Sequence, residues 1–344
     1  MNKFERIQAA LRGETVDRTP GSVWYHLSEL DQDPRALAER MVADNEKYDL
    51  DFIKLMPFGL YSVHDYGARL TFYCRKGEAP VIDDFGIHQP EDWGSLRVLN
   101  AEFGTLGKTL EIARYVAKLT RGKTPFVQTL FSPFTSARKL AGERVFTDMK
   151  EHPDLLKKAL EVFTAAAIDF ARANIEAGVS GFFFATQCAT TDLMTVEEYA
   201  EFGRPYDLEI LRSVADKTFF NILHLHGQNC MFEELQDYPV QCLNWHDRST
   251  LPSLREAKGK TNKCLLGGIS ERPRKDTAGR SIPSFFNTAS AAEIEAQVHD
   301  AIGQAGGRGI IIGPGCVADP FVPEENIFAF RRALDTYAEK RKTP

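Results

Sequence analysis

Short apolar segments alternate along the chain with amphipathic ones, and no Gly/Ser-rich linker separates them. Most of the apolar segments are nearly continuous runs of hydrophobic and β-branched residues, which is typical of strands buried on both faces of a parallel sheet. Eight segments of this kind can be recognised, at residues 22–27, 52–57, 125–131, 181–187, 219–227, 240–247, 264–270 and 309–313.

The segments between these strands carry apolar residues at helical spacing. They predict helices over residues 34–48, 106–120, 136–177 (interrupted near Pro153), 195–215, 291–304 and 323–342. Eight strands alternating with helices favour a single (β/α)₈ TIM-type barrel over residues 1–344. A doubly wound open sheet is the alternative architecture.

One connection, residues 59–104, is much longer than the others. Within it, residues 70–74 and 79–82 flank Arg75-Lys76-Gly77-Glu78, a pattern typical of a β-hairpin. Because the insertion follows the second strand, we expect it to lie over the active-site face as a wall or lid.

Composition indicates which partners and which cellular compartment to expect. The 344 residues carry a formal net charge of −6 and no basic tract, so nucleic acid and acidic membrane surfaces are not expected partners. The six cysteines form no CxxC pair, no leader-like segment opens the sequence, and no apolar stretch approaches ~18 residues. We therefore expect a cytoplasmic protein with reduced thiols.

The strand at residues 219–227 ends in His224-Leu225-His226-Gly227. Side chains at i and i+2 of a strand point to the same face, with Cα atoms about 6.6 Å apart. Two imidazoles on one face can bind one metal ion, although a lone histidine in such a place is more often a satisfied core residue.

The last strand ends in Gly313-Pro314-Gly315-Cys316, a turn that presents a thiol beside a backbone without side chains. With His224 and His226 it completes a His₂Cys set, and three protein ligands with an open fourth position describe a catalytic zinc site. Such a site supports thiolate alkylation or metal-assisted hydrolysis, and the residues alone do not choose between them. Cys230 is an alternative ligand.

The sixth predicted strand, residues 240–247, ends in His246-Asp247 and is followed by Arg248. We predict His246 as a further ligand or a general base and Asp247 as the carboxylate that orients an imidazole. The competing interpretation is an Asp–Arg pair that fixes a loop. Glu271 and Arg272, after the seventh strand, are candidates for contact with a polar substrate group.

Several other polar residues follow predicted strands and are candidates for substrate contact, each equally explained as rim packing. They are Tyr25, His26, Tyr61, His64 and Gln187.

Six segments together resemble the uroporphyrinogen decarboxylase superfamily, and the resemblance runs nearly end to end. They are RIQAALRGETVDRTP (residues 6–20), FSPFT (131–135), AGVSGFFFATQ (177–187), ILHLHG (222–227), LLGGIS (265–270) and GPGCVADPFVPEEN (313–326). The resemblance implies one domain with a (β/α)₈ barrel, in agreement with the strand count.

Two departures bear on the branch of the superfamily. The decarboxylase itself grips its polycarboxylate substrate with paired arginines after the opening proline, whereas residues 21–34 contain no arginine or lysine. The aspartate that contacts the pyrrole nitrogens is also missing from residues 55–59. Both departures point away from porphyrinogen decarboxylation.

The zinc-dependent methyltransferase branch binds its metal through His-x-Cys on the fifth strand and a distant Gly-Cys. Carried over, the resemblance implies one Zn²⁺ per chain on His224, His226 and Cys316, with His226 replacing cysteine. In that branch the methyl donor is a corrinoid held by a separate protein, and members often form homodimers.

We therefore predict a zinc-dependent methyl or alkyl transferase, or demethylase, that acts on a small molecule with a metal-activated thiol or related nucleophile. The alternatives are a decarboxylase or metal-assisted hydrolase of a small aromatic or heterocyclic acid, and a non-catalytic barrel that binds a corrinoid or tetrapyrrole.

Overall fold

The structure is a computed structural model that describes residues 1–275 and 279–340. Its strands are β1 (Ile53–Lys54), β2 (Arg69–Thr71), β3 (Val81–Asp84), β4 (Phe126–Phe131), β5 (Gly181–Thr186), β6 (Ile222–Leu225), β7 (Cys242–Trp245), β8 (Cys264–Ile269), β9 (Arg274–Lys275), β10 (Ser281–Ile282) and β11 (Ile310–Pro314).

Helices connect these strands and cover the outer face of the main sheet. They are α1 (Lys3–Leu11), α2 (Pro34–Lys47), α3 (Gly104–Thr120), α4 (Pro133–Ala141), α5 (Arg144–Glu151), α6 (Pro153–Glu176), α7 (Val196–Phe202), α8 (Arg204–Val214), α9 (Phe232–Leu235), α10 (Leu254–Lys260), α11 (Phe285–Thr288), α12 (Ala291–Gln304) and α13 (Glu324–Lys340). Short 3₁₀ helices span Ser28–Leu30, His64–Tyr66 and Pro90–Ser95. The predicted last helix, 323–342, extends by two residues beyond the described part of the chain.

The main sheet has seven strands in the order β1-β4-β5-β6-β7-β8-β11. Every neighbouring pair is parallel. All residues of these strands are buried, which agrees with their continuous apolar character. The curled parallel sheet with helices outside it is an α/β architecture consistent with a TIM-like fold.

The first predicted strand, residues 22–27, is not a strand in the structure. One isolated parallel bridge joins Tyr25 of this segment to Ala318, and a second joins Gly21, just before it, to Ile312. The start of the segment lies between the two edges of the sheet, since the Ser22 amide donates to the Ile312 carbonyl and the Asp51 amide donates to the Gly21 carbonyl. Seven of the predicted strands are therefore present in the described residues, and a closed eight-stranded barrel remains a prediction.

A buried carboxylate fixes this first segment. Asp51, fully buried just before β1, accepts from Arg6 Nη1 (2.8 Å), Arg18 Nη1 (2.6 Å) and the Gly21 amide (2.8 Å). Charged partners and a backbone donor together compensate for burying the carboxylate. This network attaches helix α1 and the first segment to the edge of the sheet.

The long insertion contains the antiparallel pair β2 and β3. Near the turn between them, Lys76 Nζ lies 5.0 Å from the centroid of the Phe321 ring, in the loop that follows β11. The insertion thus contacts a loop at the carboxyl end of the main sheet, and its role as a wall or lid remains a prediction.

Among residues 1–275 and 279–340, no helix combines the length and the apolar character that a bilayer crossing requires.

Candidate metal centre

Four side chains of the types that bind metal ions converge at the carboxyl ends of three strands. His224 lies in β6 and His226 just after it, His246 follows β7, and Cys316 follows β11. One ligand atom from each lies within 4.8 Å of the corresponding atom of every other. Carboxyl ends of parallel strands meet at one edge of a sheet, which is why residues 90 positions apart in sequence become neighbours here.

His224 is held in one orientation by Asn244, its neighbour on β7. Its Nδ1 lies 2.6 Å from Asn244 Oδ1, while Asn244 Nδ2 donates to the carbonyls of Leu266 (2.8 Å) and Pro314 (3.2 Å). Because both amide hydrogens are used, the amide oxygen must accept, so the hydrogen of His224 is on Nδ1. The lone pair is therefore on Nε2, which is buried and has no hydrogen-bond partner among the described residues.

His226 lies close to both His246 and Cys316. Its Nδ1 is 3.1 Å from His246 Nε2 and 3.9 Å from Cys316 Sγ. His246 in turn bonds through Nδ1 to Glu271 Oε1 at 2.6 Å. A carboxylate only accepts, so the hydrogen of His246 is on Nδ1 and its Nε2 presents a lone pair to His226.

Glu271 connects His246 to the turn that carries Cys316. This buried carboxylate accepts from His246 through Oε1 and from the Gly315 amide through Oε2 at 3.2 Å. A Cβ at Gly315 would lie 2.6 Å from the Trp245 carbonyl oxygen and 2.8 Å from His246 Cα. Only glycine permits this approach, so the Gly-Pro-Gly turn is what brings Cys316 against the end of β7.

The protonation states suit a metal site. Burial, with neighbouring His246 as the next cause, lowers the pKa of His224 well below its usual range and that of His226 to about 4. Both rings are therefore neutral at pH 7 and can donate lone pairs. Burial and the nearby Glu271 raise the pKa of the Cys316 thiol to about 11, so the thiolate needs a cation to form near neutral pH.

The donor set fits zinc. Imidazole nitrogen and thiolate sulfur are the ligands that zinc prefers, whereas magnesium and calcium prefer oxygen. The unpartnered Nε2 of His224 is the observation that favours an ion, because a buried polar atom without a partner is destabilising.

Asp247, the predicted orienting carboxylate, faces elsewhere. Both of its oxygens accept from the Gly268 amide (3.0 and 3.1 Å), and Arg248 Nε lies 3.6 Å away. Burial raises the pKa of Asp247 to about 7. The structure thus pairs His246 with Glu271, which the sequence suggested only as a substrate contact, and Asp247 with a backbone amide.

Three of the residues predicted to contact the substrate form hydrogen bonds with other residues of the chain through their polar side-chain atoms. The Tyr25 hydroxyl donates to Asp44 (2.7 Å) on α2, and the buried Tyr61 hydroxyl donates to the Thr129 carbonyl (2.5 Å). His64 Nδ1 pairs with Thr105 Oγ1 at 3.0 Å. None of these three residues belongs to the four-residue cluster.

The remaining candidates are His26 and Gln187 for substrate contact and Cys230 as an alternative metal ligand. His26 is partly buried, and burial together with Lys54 and Lys139 lowers its pKa to about 4. Gln187 follows β5, and its backbone amide donates to Thr135 Oγ1 at 2.9 Å. Cys230 Sγ lies 3.9 Å from the Leu251 carbonyl oxygen and is outside the cluster.

Comparison with known proteins shows which family and which proteins this chain resembles. The family model described as "Uroporphyrinogen decarboxylase (URO-D)" matches residues 2–337. A methylcobamide:CoM methyltransferase, MtaA, from Methanosarcina barkeri is 24% identical over 354 residues, which cover 96% of this chain and 97% of that protein. A methylcobamide:CoM methyltransferase, MtbA, from Methanosarcina mazei is 21% identical over 237 residues, 65% of this chain and 69% of that protein.

Solved structures resemble the chain in fold. One described as a methyltransferase from Methanosarcina mazei has a TM-score of 0.81 at 22% identity, covering 98% of this chain and 99% of that one. A B12-independent methionine synthase from Shewanella sp. W3-18-1 has a TM-score of 0.57 at 14% identity, covering 97% and 98%. At these identities the likeness concerns the fold alone.

Proposed function

Because the chain belongs to the uroporphyrinogen decarboxylase family, we propose that it is a zinc-dependent enzyme that transfers a methyl group between small molecules. Relatives over nearly its whole length are methylcobamide:CoM methyltransferases, which supports methyl transfer as the type of reaction. The observation that carries the proposal for this chain is the convergence of three imidazoles and one thiol, with the buried Nε2 of His224 unpartnered.

We assign the metal to His224, His226 and Cys316, one ion per chain. A zinc ion bound there would lower the pKa of a substrate thiol, or related nucleophile, and stabilise the anion near neutral pH. Asn244 orients His224 so that Nε2 faces the other donors. The turn at Gly315 positions the Cys316 thiol, and Glu271 fixes that turn through its amide.

We assign the proton transfer to His246. Its Nδ1 hydrogen is bound to Glu271, so its Nε2 is the atom that can accept a proton from the substrate. The Glu271 carboxylate would stabilise the imidazolium that results, as carboxylates do beside catalytic histidines. His246 Nε2 lies 3.1 Å from His226 Nδ1, so the proposed proton acceptor would lie beside the proposed metal site.

The methyl donor in this proposal is a corrinoid supplied by a separate protein or from solution. This inference comes from the names of the relatives, MtaA and MtbA, which are methylcobamide-dependent. The acceptor is a small molecule with a thiol or a related nucleophile.

Methyl transfer from methylcobalamin to a panel of thiols tests the proposal. The zinc-loaded protein should demethylate methylcobalamin, followed by its absorbance change, and both His224→Ala and Cys316→Ala should lose zinc and activity together. Cys230→Ala is the matched control, because its thiol lies outside the cluster. Full turnover by metal-free protein would contradict the proposal. Corrinoid binding without turnover would favour a non-catalytic barrel that binds a corrinoid, and CO₂ release from aromatic acids would favour a decarboxylase.

A further inference from the structure

A row of contacting side chains crosses four neighbouring strands of the main sheet and ends at a proposed metal ligand. It runs from Lys54 on β1 through Thr129 on β4 and Phe183 on β5 to His224 on β6. Thr129 and Phe183 are paired in register, and Lys54 Nζ lies 2.9 Å from Thr129 Oγ1 and 4.5 Å from the centroid of the Phe183 ring. The Phe183 ring stacks on the imidazole of His224, with the centroids 5.0 Å apart and 28° between the ring planes. One aromatic ring thus connects Lys54 to His224.

The ammonium group of Lys54 is surrounded by neutral partners. Lys54 is 5% exposed, and besides Thr129 Oγ1 and the face of Phe183 its Nζ contacts Met56 Sδ at 3.0 Å. The Thr129 hydroxyl donates to the Leu55 carbonyl at 3.0 Å, so its oxygen accepts from Lys54. An ammonium group carries three hydrogens, and these three contacts can take one each. The charge of Lys54 is therefore held within the protein and faces an aromatic ring.

Two contacts fix the imidazole of His224. The hydrogen bond between Nδ1 and Asn244 Oδ1 (2.6 Å) fixes one edge of the ring, and a single hydrogen bond leaves the ring free to tilt about it. The stack on Phe183 removes that freedom. Phe183 is itself held, since Lys54 is attracted to its face and Trp24 packs against it at 65° with the centroids 5.8 Å apart. The direction in which His224 Nε2 points therefore depends on Phe183.

We propose that Lys54 is a positioning residue for the metal: it holds the ring of Phe183, and Phe183 holds the imidazole of His224 so that Nε2 faces the other donors. The inference rests on the proposed function, because it assumes that His224 is a metal ligand. Attraction between a cation and an aromatic face is strongest where water is excluded, which is the situation of this buried ammonium group. Among the described residues, no contact of Lys54 Nζ is to a member of the four-residue cluster, so its effect reaches the cluster through Phe183.

Lys54→Met has opposite expected effects under positioning and under simple charge repulsion. Methionine has nearly the length of lysine and no charge. A positive charge repels a zinc ion, so its removal alone would tighten zinc binding. If Lys54 positions His224, the variant should instead bind zinc about tenfold more weakly, as when a group that orients a metal ligand is lost. The measurement is chelator competition at a pH below 7, because burial lowers the pKa of Lys54 to about 7 and the ammonium form predominates below it.

A double-mutant cycle tests whether Lys54 acts through Phe183. Phe183→Leu should also weaken zinc binding about tenfold, and adding Lys54→Met to it should cause no further loss. A loss of about a hundredfold in the double variant would mean that the two residues act independently, and would overturn the proposal.

Lys139→Met is the matched control. Lys139 is a partly buried lysine whose Nζ likewise lies 3.9 Å from the centroid of an aromatic ring, that of Phe131. The Phe131 ring packs against Tyr61, which is not a member of the cluster. The control variant removes a comparable charge and should not weaken zinc binding.

The imidazole can also be observed without metal. In zinc-free protein labelled at histidine, the ring current of Phe183 should shift the NMR signals of the His224 ring protons upfield, and His224→Gln identifies those signals by their loss. Phe183→Leu should abolish the shift, Lys54→Met should reduce it, and Lys139→Met should leave it unchanged. Thermal unfolding checks that each variant is folded. Lys54→Gln, which keeps a donor for Thr129 without the charge, replaces Lys54→Met if that variant does not fold.

The two measurements separate this inference from the proposed function. Weaker zinc binding in Lys54→Met together with a smaller shift supports the positioning role. Zinc binding at or above the parental affinity in the folded variant, or His224 signals that do not move, would overturn it. A parent chain that binds no zinc while its His224 signals depend on Lys54 would reject the proposed function and retain the positioning of His224 by Lys54.

Discussion

Replacing Glu271 with glutamine tests the proton-transfer assignment with the smallest change of shape. Glu271 uses both oxygens as acceptors, one for His246 Nδ1 at 2.6 Å and one for the Gly315 amide at 3.2 Å. Glutamine offers one acceptor oxygen and an amide group that only donates. In Glu271→Gln, either His246 or Gly315 therefore faces a donor, and the negative charge that would stabilise an imidazolium is lost.

The expected size of the effect follows from the hydrogen bond to His246. A hydrogen bond to a charged group contributes about 1.5–3 kcal/mol, against about 0.5–1.5 kcal/mol for a neutral one. The difference, about 1–2 kcal/mol, corresponds to a loss of about 5- to 30-fold in kcat if it falls on the transition state. Zinc should remain bound, because His224, His226 and Cys316 are unchanged.

The assay is kcat for methyl transfer from methylcobalamin, with the zinc content measured on the same sample. Asp247→Asn is the control, since Asp247 is an equally buried carboxylate bonded to the Gly268 amide rather than to His246. It should keep kcat within about twofold, because nothing in the transition state contacts it. Unchanged kcat in zinc-loaded Glu271→Gln would refute the assigned role, and loss of zinc would show that Glu271 supports the metal site through His246 or through the turn that carries Cys316.

Three further substitutions test the site and the fold. Asn244→Leu should weaken zinc binding about 10- to 100-fold, measured by chelator competition, because it frees the ring of His224; unchanged affinity would argue against His224 as a ligand. Burial raises the pKa of Asp207 to about 7, so the folded chain holds a proton that the unfolded chain has released, and stability should fall as pH rises from 4 towards 7. Asp207→Asn should flatten that slope in urea unfolding at several pH values, and an unaltered slope would exclude Asp207 as its source. Asp51→Ala should lower the free energy of unfolding by about 3–5 kcal/mol, because it removes the fully buried carboxylate that Arg6, Arg18 and the Gly21 amide share; a loss below about 1 kcal/mol would show that the remaining pairs of Arg6 with Asp17 and of Arg18 with Asp335 are sufficient.

The sequence predicts the parallel strands well, because fully buried strands leave continuous apolar runs. Six of the seven strands of the main sheet fall within predicted segments, and β11 exceeds its predicted segment, 309–313, by one residue. The segment at residues 22–27 has the same apolar character, yet only Tyr25 and the preceding Gly21 form bridges. Pairing depends on partners that are distant in sequence, and Pro20, which has no amide hydrogen, limits the ladder where the segment begins. An apolar pattern does not contain that information.

The sequence also identifies His224, His226, His246 and Cys316 as candidate ligands or acid–base residues, and in the structure they form one cluster. It cannot show which carboxylate contacts His246, since Asp247 is adjacent in sequence but its side chain bonds to the Gly268 amide. In a strand, successive side chains point to opposite faces, which is the physical reason that a neighbour is a poor candidate.

Lys54 is the one charged residue in the apolar run Phe52-Ile53-Lys54-Leu55-Met56. A lysine inside a buried strand is rarely tolerated without a polar partner, so its position is unusual from the sequence alone. In the structure Lys54 is 5% exposed and its Nζ contacts Thr129 Oγ1 at 2.9 Å, a partner that the sequence cannot indicate because it lies 75 positions away.

The central claim is that this chain transfers methyl groups with a metal held by His224, His226 and Cys316. The most direct test is to titrate zinc into metal-free protein and measure methyl transfer from methylcobalamin at each zinc-to-protein ratio. We predict no turnover without zinc and a rate that rises linearly to a plateau at about one zinc per chain. A metal-free protein that turns over at the full rate would contradict it.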